Sequence, residues 1–153
     1  MEYIKSIREK IGNEEILLNC VGAAILNDKK QVLLQKRADK NLWGFPGGIM
    51  ELHESFSEAI KREVEEETGL EIDIKRLIGI YSKYYDEYPN GDKVQPILVF
   101  FECVPMSKYL RIDNNETLEL KYFGINEMPK LVNQQHIDMF DDLFSFGKTC
   151  AIR

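Results

Sequence analysis

Apolar positions along the chain fall into runs and periodic sets that define its elements. Residues 16–26, ILLNCVGAAIL, and 31–37, QVLLQKR, are mostly apolar and predict two central strands joined by the turn NDKK. Two long strands are predicted over 71–85, EIDIKRLIGIYSKYY, and 93–105, KVQPILVFFECVP, and another over 118–125, LELKYFGI. Between the long strands, DEYPNGD carries the Asn90-Gly91 turn signal. YIKSIREKIG predicts a short first helix ending at Gly12, and QQHIDMFDDLFSFG (134–147) a closing helix with Ile137, Phe140, Leu143 and Phe144 at helical spacing. WGFPGG, with Pro46, Gly47 and Gly48, is expected to break regular structure. Strands and helices mix without strict alternation, which predicts a mixed sheet covered by helices on both faces.

The second helix is bounded from its ends. Ser55 followed by Glu58 is a capping-box pattern, and Thr68-Gly69 supplies a stop, so the helix spans about 55–68. At about 100° per residue, Phe56, Ala59 and Ile60 define an inward direction with Val64 at its edge. Glu63 and Glu67 fall in that sector, Glu66 on its flank, and Glu58, Lys61 and Glu65 on the far side. A solvated face explains Glu58 and Glu65. It does not explain Glu63 and Glu67, because a carboxylate turned toward a core must be paired, protonated or metal-bound. Arg62 alone cannot neutralise them all, and carboxylates at this spacing suit a hard divalent cation such as Mg²⁺.

Composition narrows the options. The chain has 153 residues, 44% of them hydrophobic, which fits one globular domain over 1–153. A net charge of −6 argues against a broad basic surface for a nucleic-acid polymer. Cys20, Cys103 and Cys150 are widely spaced and odd in number, indicating neither a disulfide framework nor a zinc cluster. With no long apolar run, the expectation is a cytoplasmic protein that does not engage a membrane.

The stretch from Gly48 to Leu70 resembles the Nudix box. Gly48, Glu54, Arg62, Glu63, Val64, Glu66, Glu67, Gly69 and Leu70 fill every defined position. A chance match to its fixed identities is on the order of one in 10⁸ per starting point. VLLQKR, LWGFPGG and ETLELKYFGINEMP are similar to other segments of the family, while His53 stands where many members have glycine.

The resemblance implies an α/β/α sandwich and Mg²⁺-dependent hydrolysis (Mn²⁺ a substitute) of a small nucleoside diphosphate derivative. It implies metal binding by Glu63, Glu66 and Glu67 with the Gly48 carbonyl, support from Glu54, and orientation of the carboxylates by Arg62. Glu116 and Glu119 are candidates for the general base, and Arg37 for phosphate contact. Of Tyr81, Tyr84, Tyr85 and Tyr88, the substrate candidates are Tyr85 and Tyr88. Strand alternation would place Tyr81 with Tyr85 and Tyr84 with Tyr88, so base stacking and sheet packing both account for such a cluster.

Spacing after the box bears on the substrate. ADP-ribose hydrolases of the family carry a proline about fifteen residues on, where this chain has Tyr85. The alternatives are a MutT-like nucleoside triphosphate pyrophosphohydrolase and, more remotely, a catalytically silent nucleotide-binding module. The first helix and the apolar strands would suit a homodimer.

Overall fold

The structure, a computed structural model, describes residues 2–112, 115–145 and 149–153. Helix α1 (Glu2–Ile11) leads into β1 (Ile16–Ile25), β2 (Val32–Arg37) and the short β3 (Trp43–Gly44) and β4 (Gly47–Ile49). Helix α2 (Phe56–Thr68) precedes β5 (Ile72–Tyr81), β6 (Asp86–Glu87), β7 (Lys93–Pro105) and β8 (Thr117–Phe123). Helix α3 (Gln134–Leu143) and β9 (Ala151–Ile152) follow. The end expected for the last helix, at Phe146 and Gly147, lies outside the described residues.

Two sheets form the centre. The larger is mixed, in order β4-β1-β7-β5-β9 with β6 also on β7; the smaller is antiparallel, β3-β2-β8. Strand β1 runs parallel to β7 from Ile16 beside Val94 to Ile25 beside Cys103. These runs are apolar on both faces because each face is covered. Val21, Ala23 and Ile25 of β1 pack in one core with Ala59, Ile60 and Val64 of α2. Leu18, Cys20 and Ala24 point the other way into a second core with Met139 and Leu143 of α3. The helices therefore flank the sheets in an α/β/α arrangement.

Three expectations are corrected. WGFPGG does not lack regular structure: Trp43–Gly44 pairs with β2 and Gly47–Ile49 with β1. Gly47 makes the second pairing possible, because a Cβ there would meet the Val21 carbonyl oxygen at 2.1 Å and its φ is +150°. The strand expected over 71–85 ends at Tyr81, so alternation does not govern Tyr84, Tyr85 and Tyr88. Phe56 does not face the core; it is 42% exposed, and burial of α2 begins at Ala59.

Candidate active site

Helix α2 is fixed at both ends by local chemistry. The Ser55 hydroxyl accepts the Glu58 N–H at 3.2 Å and the Glu58 carboxylate accepts the Ser55 N–H at 2.8 Å. Gly69, at φ +72°, closes the helix by donating to the Glu65 carbonyl at 2.8 Å. Its buried face consists of Ala59, Ile60, Glu63, Val64, Glu67 and Thr68. Two carboxylates one turn apart thus lie on the inner side of the helix, each only 7% exposed.

Arg62 reaches back over the preceding loop and organises three acids. Its Nε and Nη2 donate to the two oxygens of Glu54 at 2.6 and 2.9 Å, and Nη1 donates to Glu63 at 2.8 Å. The same Nη1 lies 3.5 Å from Glu66, whose side chain is otherwise largely exposed. A remaining donor goes to the Ile49 carbonyl at 3.2 Å, tying the fork to β4. The Arg62 guanidinium holds the Glu54 carboxyl down at about 2. Glu63 shifts the other way: burial raises its pKa, and the charges of Glu66 and Glu116 add to burial against the pull of Arg62.

Glu67 is the most perturbed acid of the helix. Burial pushes it up to about 8, against hydrogen bonds from the Gln35 side chain and the Gly47 amide, the latter at 2.8 Å. Thr117 donates to the Gln35 Oε1 at 2.8 Å, which turns the amide end of Gln35 toward Glu67. Gln35 was not among the residues singled out from sequence. Its signal was a lone amide inside the apolar run VLLQKR.

Gln35, Glu63 and Glu67 line a cavity of about 970 Å³, together with Gly47, Gly48 and Glu116, whereas Glu54, Arg62 and Glu66 are not among its lining residues. Arg37 lines it too, paired with Asp39 through Nε at 3.0 Å and Nη2 at 2.6 Å, and it lies 6.0 Å from the ring centre of Tyr88. Leu18, Leu98 and Met139 add apolar lining, and α3 contributes Gln135 and His136. His136 Nδ1 accepts the Phe45 N–H at 3.1 Å; burial first, then the charges of Arg37 and Lys40, push its pKa down to about 3.

Other candidates lie elsewhere. Glu119 is exposed on β8 opposite Lys36 and does not line the cavity. Tyr85 is 54% exposed and donates to Glu87 at 2.9 Å. Tyr81 and Tyr84 are held by α3, donating to Asp142 at 2.9 Å and Asp138 at 2.6 Å. Of the four tyrosines between residues 81 and 88, Tyr88 is the one that lines the cavity among the described residues.

The donor set fits a hard cation. Among the described residues no three acidic, thiol or imidazole groups stand ready-grouped as a metal cage. Mg²⁺ does not require one, since it keeps several waters and takes one or two carboxylates plus substrate phosphate. Glu63 and Glu67 are buried oxygen donors beside the cavity, and Gly48 lets the backbone close on the Glu63 carboxylate, where a Cβ would stand 2.5 Å away.

An α/β/α domain in which a glycine strand meets a carboxylate-bearing helix defines the class of Nudix-type proteins. A family model described as NUDIX domain matches residues 17–143, and the chain belongs to that family. It is 35% identical over 107 residues to a putative 8-oxo-dGTP diphosphatase of Bacillus subtilis, covering 69% of this chain and 65% of that protein. It is 34% identical over 113 residues to an ADP-ribose pyrophosphatase of Methanocaldococcus jannaschii, covering 72% and 64%. The match thus spans less than two thirds of either curated relative. A solved UDP-X diphosphatase superposes with a TM-score of 0.71 at 21% identity over 99% of this chain and 74% of its own, a likeness of fold. No helix among the described residues is long and apolar enough to cross a membrane.

Proposed function

We propose that this chain is a divalent-cation-dependent hydrolase of the diphosphate linkage in a small nucleoside diphosphate derivative. The observation that carries the reading is the pair Glu63 and Glu67, buried one turn apart in the lining of a cavity large enough for a nucleotide. Mg²⁺ is the expected ion and Mn²⁺ its substitute, held by Glu63, Glu66 and Glu67 with the Gly48 carbonyl. When bound, the cation supplies charge for phosphate oxygens and a water acidic enough to attack phosphorus.

The chain's own residues do the rest. Arg62 holds Glu54 and Glu63 through one guanidinium and leaves Glu67 to the amides of Gly47 and Gln35. Glu116 lines the same cavity, close enough for its charge to raise the pKa of Glu63, and is the general base in this reading. Arg37 meets substrate phosphate, and Tyr88 flanks the substrate. The reading is of a cytoplasmic enzyme, supported by three cysteines that remain free thiols.

Cleavage of a nucleoside triphosphate with release of pyrophosphate is the second reading, favoured by the likeness to the protein named as an 8-oxo-dGTP diphosphatase. Phosphorus NMR of reactions run with Mg²⁺ and with EDTA tests both. Two phosphomonoester products support the first reading and pyrophosphate the second. The Glu67→Gln variant should keep its fold and lose at least about 100-fold in turnover; undiminished Mg²⁺-dependent turnover there would overturn the metal assignment.

A further inference from the structure

Helix α1 forms part of the wall of the same cavity, which it lines with Ile4, Lys5, Arg8 and Glu9. Its first turn is tied to the loop between β4 and α2. The Tyr3 N–H donates to the Glu51 carboxylate at 3.1 Å, and the Glu51 N–H donates to Glu54 at 2.9 Å. Its last turn is tied to the start of β7 through Arg8. That guanidinium donates from Nη1 to the Gly12 and Glu14 carbonyls at 3.1 and 2.6 Å and from Nη2 to the Lys93 carbonyl at 3.0 Å, and its Nε faces Asp92 at 3.4 Å. Ile4 packs against the core between these ties. The helix is held at both ends, so the side chains that it turns to the cavity start from fixed positions.

Most positive charge along the cavity is already spent. Arg37 is paired with Asp39, and Arg8 is taken by Asp92 and three carbonyls. His136 is kept neutral by burial. Lys5 differs: it is exposed, and among the described residues its ammonium makes no ion pair or hydrogen bond. Glu9, one turn on, lines the cavity without pairing to it. The same lining carries Glu63, Glu67 and Glu116, so a diphosphate entering beside them needs positive charge from the protein as well as from the cation. A free ammonium with three donors suits phosphate oxygens as a point charge.

We infer that Lys5 is a substrate-binding residue, its ammonium donating to the diphosphate from a helix outside the Nudix box, and that it favours ligands with two linked phosphates over those with one. This rests on the reading of the cavity as a nucleotide site.

The probes are the uncleavable α,β-methylene diphosphates of adenosine and uridine and the corresponding monophosphates, titrated calorimetrically into the full chain in Mg²⁺. For the diphosphate that binds the parent more tightly, Lys5→Met should cost about tenfold in affinity, and less than about threefold for its monophosphate. Lys5→Arg keeps the charge and should stay within about threefold of the parent, whereas Lys5→Glu should lose at least about thirtyfold. Melting temperatures of all three variants should match the parent, because Lys5 is exposed and bonded to nothing in the fold. Diphosphate affinities of Lys5→Met and Lys5→Glu within about twofold of the parent, equal losses for monophosphate and diphosphate, or no binding of either diphosphate by the parent chain would overturn the inference. Charge-dependent binding at Lys5 without metal-dependent turnover would sink the hydrolase reading and leave the role of Lys5 standing. Metal-dependent turnover with an unchanged KM in Lys5→Met would do the reverse.

Discussion

The Glu67 carboxylate accepts the Gly47 N–H at 2.8 Å, joining the last turn of α2 to the first residue of β4 where the cavity begins. One hydrogen bond across 20 residues of sequence sets the acidic helix against the glycine strand. It does not compensate for burial, and Glu67 holds its proton up to about pH 8.

The consequence for stability has a definite sign. Glu67 is raised from its ordinary 4.5 to about 8, so the folded chain binds this proton more tightly than the unfolded one. Its contribution is complete below pH 4.5 and is lost as pH rises toward 8. Relative to Glu67→Gln, the metal-free parent should lose about 3–5 kcal/mol across that window. Denaturant unfolding in EDTA at pH 5, 7 and 9 measures the difference, and parallel pH profiles would contradict it.

Cation binding should displace the same proton. At pH 7 the metal-free Glu67 is largely protonated, so Mg²⁺ uptake should release close to one proton and tighten with rising pH up to about 8. Calorimetry in two buffers of different ionisation heat counts the protons. A heat independent of buffer would argue against Glu67 as a ligand.

Adjacent glycines should fail in different ways. Gly47→Ala drives a Cβ into the Val21 backbone at 2.1 Å and should destabilise the fold by more than about 3 kcal/mol. Gly48→Ala meets only the end of the Glu63 side chain at 2.5 Å, which can turn away. Its melting temperature should stay near that of the parent while Mg²⁺-dependent turnover falls at least about tenfold.

The two acids of the β8 region should separate as well. Glu116→Gln should slow turnover by about 100-fold or more, with little change in KM, if it takes the proton from the attacking water. Glu119, exposed opposite Lys36, should tolerate glutamine with turnover within about twofold. Equal losses in both variants would remove Glu116 from the general-base role.

His53 shows how a departure from the family pattern is accommodated. It sits at φ +70°, in the left-handed region that glycine adopts at less cost, and its side chain is exposed. The loop keeps the conformation that a glycine would allow.

Much of the site was legible before the fold was known. Ser55, Glu58 and Gly69 bounded α2 within a residue of its observed ends, and helical periodicity alone turned Glu63 and Glu67 inward, because capping and the 3.6-residue repeat are local properties. Phe56 was misassigned for the complementary reason. Periodicity gives a direction around the helix but not how far along it the covering sheet extends, and here cover begins at Ala59.

The tyrosines mark where local reasoning stopped. Alternation would have grouped Tyr81 with Tyr85, yet the strand ends at Tyr81, α3 takes the hydroxyls of Tyr81 and Tyr84, and only Tyr88 turns into the cavity.

By itself the sequence determined the family, the flanking helices, and the acids that must face inward, since each follows from spacing within a short window. Only the tertiary structure decided that Gly47 anchors Glu67, that Gln35 and Thr117 support it, that Glu116 rather than Glu119 enters the cavity, and that Gln135 is left with a free donor. The bonds from Gly47 to Glu67 and from Thr117 to Gln35 join residues 20 and 82 positions apart, and burial, which sets their charges and unmet hydrogen bonds, exists only once the sheets and helices have closed on one another.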